Sequence, residues 1–269
     1  MIKVYNSGID FYNENKEFLL TNKYTEPFFR LDSPLLIETN KYEFAIKAYN
    51  NDNNKQLLIL KKEPYDSLYF GDNELVDELI HYLLDNNYLL TDYLCPLELG
   101  IELSKCFNKL GYKYKLHIAM DFLESREKYP LINNNSSIVE IPTLEDVDEI
   151  YDLRIRFVND CGLKVNFDKE KIINKINDYR IIRKDNRIIS MAAISKWMQE
   201  CTKIIDVYTL DEYRGKGYAK IICASILNEI IDSGKYAALN VDEKNPISYH
   251  LYTSIGFKKI FSQAIFKKE

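Results

Sequence analysis

The chain has 269 residues, 46% hydrophobic and 29% charged, a balance that excludes long disorder or a fibrous repeat and suits one large domain or two ordinary ones. A formal net charge of -5 argues against general nucleic-acid binding, which draws on an excess of Lys and Arg. Five scattered cysteines (Cys95, Cys106, Cys161, Cys201, Cys223) without a CxxC pair argue against a disulfide scaffold or zinc knuckle, and only three histidines are present to serve a metal centre or a hydrolytic triad.

Met1–Asn6 carries no apolar signal region, and no apolar run approaches the length of a membrane span. The expectation is a soluble cytoplasmic protein with no membrane partner and no metal. Charge is uneven. Residues 1–130 hold 15 Lys/Arg against 21 Asp/Glu, whereas residues 131–269 hold 21 against 20, so a polyanionic ligand is more welcome in the second half.

In chain order, Phe44–Tyr49 and Gln56–Lys61 read as a hairpin around the asparagine cluster Asn50–Asn54. Asp72–Asp85 and Pro96–Leu110 read as helices, the second ending at Gly111-Tyr112. A polar linker is expected over Tyr129–Ser137, dividing the chain into domains 1–130 and 131–269. Beyond it, Ile138–Ile141 is a strand and Leu144–Phe157 a helix. Tyr179–Arg183 and Ile188–Ser195 flank the turn Lys184–Arg187 as a second hairpin, and Lys203–Leu210 is a further strand. Tyr218–Asp232 is an amphipathic helix with Gly234 suited to its C-terminal cap. Ala237–Val241 is a strand, Pro246–Ile255 a short helix, and Phe257 to the end a pair of strands. Gly71 to Gly111 and Gly217 to Gly256 have nearly the same spacing, which suggests a degenerate repeat; two unrelated α+β domains sharing this punctuation is the alternative.

Of nine glycines, four (Gly215, Gly217, Gly234, Gly256) fall within 42 residues. Arg214-Gly215-Lys216-Gly217-Tyr218-Ala219 sits between a strand and a helix. Glycine lets a ligand approach the backbone closely, and the first helical amides have no intrahelical acceptor, so a strand, a glycine turn and a helix start form an anion cradle. Neither GxxxxGK[ST] nor GxGxxG is present. The alternative is a basic surface turn with no ligand.

These residues resemble the GNAT family of acyl-CoA-dependent N-acyltransferases. Arg214, Gly217 and Ala219 match the family's Arg/Gln-x-x-Gly-x-Gly/Ala loop for the acetyl-CoA pyrophosphate. Val207-Tyr208-Thr209 is similar to the strand that pairs with the pantetheine arm, and Asn245-Pro246-Ile247-Ser248-Tyr249-His250-Leu251-Tyr252 through Gly256-Phe257 is similar to the closing segment. The resemblance covers residues 137–269. It implies two GNAT-like α+β domains, each a mixed, mostly antiparallel sheet flanked by helices. Residues 1–130 resemble the degenerate copy of tandem-GNAT proteins, because Phe70-Gly71-Asp72-Asn73-Glu74 replaces the loop and its acidic helix start disfavours phosphate.

The resemblance further implies acetyl-CoA as cosubstrate, held by Val207, Tyr208, Thr209, Arg214, Gly215, Lys216, Gly217, Tyr218, Ala219, Asn240, Asn245 and Ser248. Tyr252 stands where the family places the tyrosine that donates to the leaving sulfur; a packing tyrosine is the alternative. A phenol with a pKa near 10 would give the rate an alkaline limb. Asp206, Glu200 and Asp242 are the candidate bases for the acceptor amine, with a water chain as another route. His250 reads as a surface residue, and Cys201 and Cys223 as core thiols. The implied activity is direct transfer of an acetyl group to a primary amine of a small molecule or peptide. A silent CoA-binding sensor or scaffold is the competing reading, and oligomeric state is left open.

Overall fold

A computed structural model describes residues 1–29, 43–62, 65–131, 138–162, 168–196 and 198–269. The chain forms two compact units, Met1–Met120 with Phe261–Glu269, and Asp121–Ile260. The stretch expected to be a linker starts inside the second unit, where the Asn228 side chain accepts from the Tyr129 N–H (2.8 Å) and donates to the Tyr129 carbonyl (2.9 Å). Residues 132–137 of that stretch lie outside the described residues. No helix among the described residues is long and apolar enough to cross a membrane.

The first unit runs β1 (Ile2–Tyr5), α1 (Gly8–Leu19), α2 (Glu26–Phe29), β2 (Phe44–Tyr49), β3 (Gln56–Lys61), β4 (Ser67–Gly71), α3 (Val76–Asp85), β5 (Tyr93–Pro96), α4 (Leu97–Lys109) and the start of β6 (Tyr114–Ser125). β1, β2, β3 and β4 pair antiparallel in sequence order, and β5 joins β4 in parallel. The β2–β3 hairpin holds its expected register, Phe44↔Lys61 to Tyr49↔Gln56. Its asparagines act locally: the Asn50 carbonyl oxygen accepts from the Asn54 and Lys55 amides, while Asn53 takes a left-handed φ of 51°.

The second unit runs β7 (Val139–Glu140), α5 (Val147–Asp160), α6 (Lys169–Ile173), β8 (Tyr179–Lys184), β9 (Arg187–Lys196), β10 (Cys201–Thr209), α7 (Tyr218–Asp232), β11 (Tyr236–Asp242), α8 (Pro246–Thr253) and the start of β12 (Lys258–Lys268). β7 to β10 pair antiparallel and β11 joins β10 in parallel. The β8–β9 turn puts Asp185 and Asn186 at φ 51° and 60°, the left-handed pair that suits the twist of a tight hairpin and that Asp and Asn tolerate. α7 buries Ile222, Cys223, Ile226, Leu227 and Ile230. It ends in a Schellman cap, with Gly234 N–H donating to the Ile231 carbonyl and Lys235 N–H to the Ile230 carbonyl.

The α+β class with a mixed, mostly antiparallel sheet is therefore the observed one. One expectation fails: the tail is a single strand. Lys258–Lys268 contains neither Gly nor Pro to turn the chain, and its Gln263–Phe266 stretch pairs with β5 in the first unit.

Gly71 closes β4 at φ +143°, and a Cβ there would lie 2.0 Å from the Gln56 carbonyl oxygen. Gly111 also has a positive φ (+88°) but faces open space. Gly71→Ala should destabilise the protein by more than about 2 kcal/mol and Gly111→Ala by about 1 kcal/mol. Thermal denaturation followed by circular dichroism checks this; equal losses would mean that φ alone, and not the close backbone approach, requires glycine at position 71.

Candidate functional site

The site is built on the segment that leaves β10. Leu210 is buried and starts a single 3-10 turn (Asp211–Tyr213), after which the chain enters Arg214-Gly215-Lys216-Gly217. Gly215 and Gly217 have φ of +74° and +84°, and a Cβ on either would meet nothing within 4 Å. Both need glycine for the curl, and both leave open space beside the backbone. The first helical bond of α7 runs from Ile221 N–H to the Gly217 carbonyl. Ahead of it, the amides of Gly215, Lys216, Gly217, Tyr218, Ala219 and Lys220 make no hydrogen bond among the described residues. Six consecutive free donors at the positive end of a 15-residue helix form a cradle for an anion.

Arg214 is half-exposed. Its Nε donates to the Thr209 carbonyl (3.0 Å), and one terminal nitrogen bridges Asp160 (2.8 Å) and Asp211 (2.9 Å). The hydrogen bond to Asp160 comes first among the causes that raise its already high pKa. Pairs this exposed are each worth under about 1 kcal/mol and hold Arg214 only weakly. Lys216 folds back, donating to the Glu212 carbonyl with its ammonium over the Tyr213 ring, and Tyr213 meets Tyr218 edge to face.

Beside the cradle the sheet opens. β10 and β11 pair only at Cys201↔Tyr236, Thr202↔Ala237 and Lys203↔Ala238, so Ile204–Thr209 keeps its β9 partner but has no β11 partner. Within that free stretch β10 bulges. Ile205 faces Ala193 and Tyr208 faces Met191, so the β10 strand has one residue too many. The Tyr208 and Thr209 side chains are buried, Thr209 sharing a hydrogen bond with Ser190, while Val207 is half-buried.

Asp206 takes up the bulge at φ +52°. Its Oδ2 accepts from the Tyr179 hydroxyl (3.2 Å) and pairs with Arg154 Nε (2.9 Å). Burial raises its pKa above the usual carboxylate range; Arg154, then Tyr179 and Lys175, pull the other way. Glu200 lies exposed before the opposite end of β10, about 20 Å away at the rise of an extended strand. Its carbonyl accepts from the Tyr236 amide where β10 and β11 are still paired. Asp206 and Glu200 are therefore not brought together.

Tyr252 on α8 is 8% exposed, and no hydrogen bond reaches its hydroxyl among the described residues. Burial raises its pKa well above 10, with Cys223 and Cys161 nearby. Cys161 in turn lies within electrostatic reach of Asp206 and Asp242. The alkaline limb expected near pH 10 is corrected accordingly, since a buried phenol holds its proton beyond that range. Asn245 caps α8, its side chain accepting from the Ser248 amide (3.0 Å). Asn240 on β11 and His250 are exposed, Cys201 and Cys223 are buried thiols, and burial pushes Cys223 up to about 12.

Comparisons with known proteins bear on the fold that carries this segment. The FR47-like protein family model matches residues 181–266. A GNAT-family acetyltransferase from Colwellia psychrerythraea is 12% identical, with a TM-score of 0.60, over 100% of this chain and 99% of that one. A Drosophila protein gives a TM-score of 0.60 at 13% identity over 100% and 98%, and a GCN5-related N-acetyltransferase from Sphaerobacter thermophilus gives 0.56 at 12% over 83% and 80%. The fold is that of the GNAT acetyltransferases. No curated protein matches the chain by sequence.

In this GNAT fold, sequence reasoning passed over Arg154 and Tyr179. Arg154 lies on a helix rich in charge, and Tyr179 is one of 21 tyrosines, so nothing local marks either. Their only signal is the bulge that brings Asp206 to them.

Gly217→Asp would put a carboxylate at the six free amides. Acetyl-CoA affinity should fall at least tenfold, about 1.4 kcal/mol, by calorimetry on the folded variant. Unchanged affinity would mean the loop is only a turn.

Proposed function

We propose that the chain is an acyltransferase that moves an acetyl group from acetyl-CoA to a primary amine of a small molecule or peptide, directly, within a ternary complex. The observation that carries this is the run of free amides at Gly215–Lys220 set against the unpaired edge of β10. A diphosphate fits the amides, and an amide-bearing arm fits an open strand edge by the same bonding that adds a strand to a sheet.

The amine nitrogen attacks the thioester carbonyl carbon, the C–S bond breaks, and the sulfur leaves with a proton. Tyr252 supplies that proton or a hydrogen bond to the sulfur, and its hydroxyl has no competing partner among the described residues. Asp206 is better placed to be the base than Glu200, because it lies in the opened stretch and Glu200 does not. Holding the amine against the thioester supplies most of the acceleration. Five free cysteines suit a reducing compartment, which we take to be the cytoplasm.

We read the first unit as a degenerate copy of the second. Its elements follow in the same order, strand, two helices, three antiparallel strands, helix, parallel strand, helix and long strand. Among the described residues it has no equivalent run of free amides. The Asp72 carboxylate accepts from the Gln56 amide, the Leu75 amide donates to the Asp72 carbonyl, and Glu74 pairs with Lys55. Calorimetry should therefore find one acetyl-CoA site per chain.

Tyr252→Phe keeps the ring and its edge-to-face contact with Phe257 and removes only the hydroxyl. CoA affinity should stay near wild type while turnover falls about 10²-fold. A panel of small amines, polyamines, aminoglycosides and peptide N-termini, followed by CoA thiol release, supplies the assay. Tight CoA binding with no turnover of any amine by wild type would favour a CoA sensor over an enzyme.

A further inference from the structure

We propose that Arg154 and Tyr179 are positioning residues that clamp Oδ2 of Asp206 and turn its Oδ1 toward the opening between β10 and β11, ready to take the acceptor's proton. The inference deepens the acyltransferase reading and rests on it for the identity of the acceptor. The clamp itself stands on geometry.

Both partners of the carboxylate fall on one oxygen. The Tyr179 hydroxyl donates to Oδ2 at 3.2 Å and Arg154 Nε lies 2.9 Å from the same atom. No donor sits on Oδ1 among the described residues, and Oδ1 is not sealed off from solvent. A carboxylate needing only charge compensation would share both oxygens with the guanidinium, the bidentate arrangement that arginine favours. Here Oδ2 takes the Tyr179 hydrogen bond and the nearest charge of Arg154, whose Nε–H makes no hydrogen bond, and no hydrogen bond falls on Oδ1 among the described residues.

The register explains how the anchors reach it. Tyr179 on β8 faces Ala193 on β9, and Ala193 faces Ile205 on β10, the residue before the bulge. Tyr179, Ala193 and Ile205 form one row across three strands. The small Ala193 side chain lets the phenol cross the row, and the positive φ of Asp206 brings the carboxylate to meet it. Arg154 arrives from α5, which packs on β10. A left-handed φ is unfavourable for a non-glycine residue, and the contacts made by the carboxylate offset it.

Among the described residues, the charged and titratable groups facing Asp206 are Arg154 from α5, Tyr179 from β8, Lys175 ahead of β8 and Cys161 at the end of α5. Tyr179 stays protonated because burial, then the Asp206 charge, raises its pKa, so it donates throughout the working range. Arg154 and Tyr179 hold the carboxylate in its ionised form against burial. Removing either should raise the pH at which Asp206 takes up its proton.

The test reads that protonation directly, by ¹³C NMR of the side-chain carboxyls in the full chain, with the Asp206 signal assigned through Asp206→Asn. Wild-type Asp206 should titrate above the ordinary carboxylate range. Tyr179→Phe and Arg154→Met should each move the midpoint up by about one unit, and Arg154→Lys should restore part of the shift. Acetyl-CoA affinity should stay within about twofold in Tyr179→Phe, since the cradle is untouched. A midpoint unmoved by Tyr179→Phe, or a wild-type Asp206 that titrates like a solvated carboxylate, overturns the clamp. If Arg154→Met does not fold, Tyr179→Phe and Arg154→Lys still decide. Failure of acetyl-CoA to bind wild type would instead count against the acyltransferase reading and leave the titration result standing.

Discussion

β10 and β11 hold each other for three residues and then part. A parallel pair in a sheet normally continues as long as both strands do, because each broken step leaves backbone donors and acceptors without partners. Here β10 runs on for six residues past Lys203, bonded to β9 alone. The bulge at Asp206 sits inside that stretch and raises the local twist, which carries the chain toward the 3-10 turn and the start of α7. The free strand edge and the free helical amides are thus consecutive along one backbone path. An elongated ligand with an anionic end and an amide-bearing arm matches that path.

The first unit shows what the same order of elements does without such a path. β4 and β5 pair at only two positions, Ser67↔Tyr93 and Leu68↔Leu94. The residues after β4 bind back onto β3, with the Asp72 carboxylate on the Gln56 amide and the Asp72 amide on the Gln56 carbonyl. Gly71 serves that close approach, where a Cβ would collide with backbone, whereas Gly215 and Gly217 face open space. The glycines mean opposite things: one closes a backbone contact, the others leave room beside the chain.

The two hairpins, α7 and its cap, and the Arg214–Ala219 loop were legible because each depends on local chemistry. Asp185-Asn186 dictates a turn, Gly234 a cap, and the spacing of Ile222, Ile226 and Ile230 a buried face. β1, α1, β4, β5 and β6 are not legible in the sequence. The signal for α1 was present in Ser7, whose hydroxyl accepts from the Asp10 amide, but the helix buries only Gly8, Phe11, Asn15 and Leu19 and so has a weak apolar stripe. β12 is one strand where a pair is expected, because nothing between Lys258 and Lys268 can turn the chain. The facing of Asp206 was illegible for a stricter reason. Alternation along a strand assumes an unbroken ladder, and the bulge adds one residue to it.

Burial acts on Asp206 and Tyr252 in the same direction with opposite consequences. It raises both pKa values, because the charged form of each loses solvation. Under the proposed roles this is protective for the phenol: the proton it would donate stays in place far into alkaline solution. For the carboxylate it works against the proposed role, since a base must be ionised to accept a proton, and burial moves its protonation toward neutral pH. The site therefore needs help on the carboxylate and none on the phenol, and that is how the partners are distributed. Asp206 has a guanidinium and a hydroxyl on one oxygen, while the hydroxyl of Tyr252 has no partner among the described residues. Any pH dependence contributed by this pair then falls on the acid side, where Asp206 becomes protonated, and its position is governed by how firmly Arg154 and Tyr179 hold Oδ2.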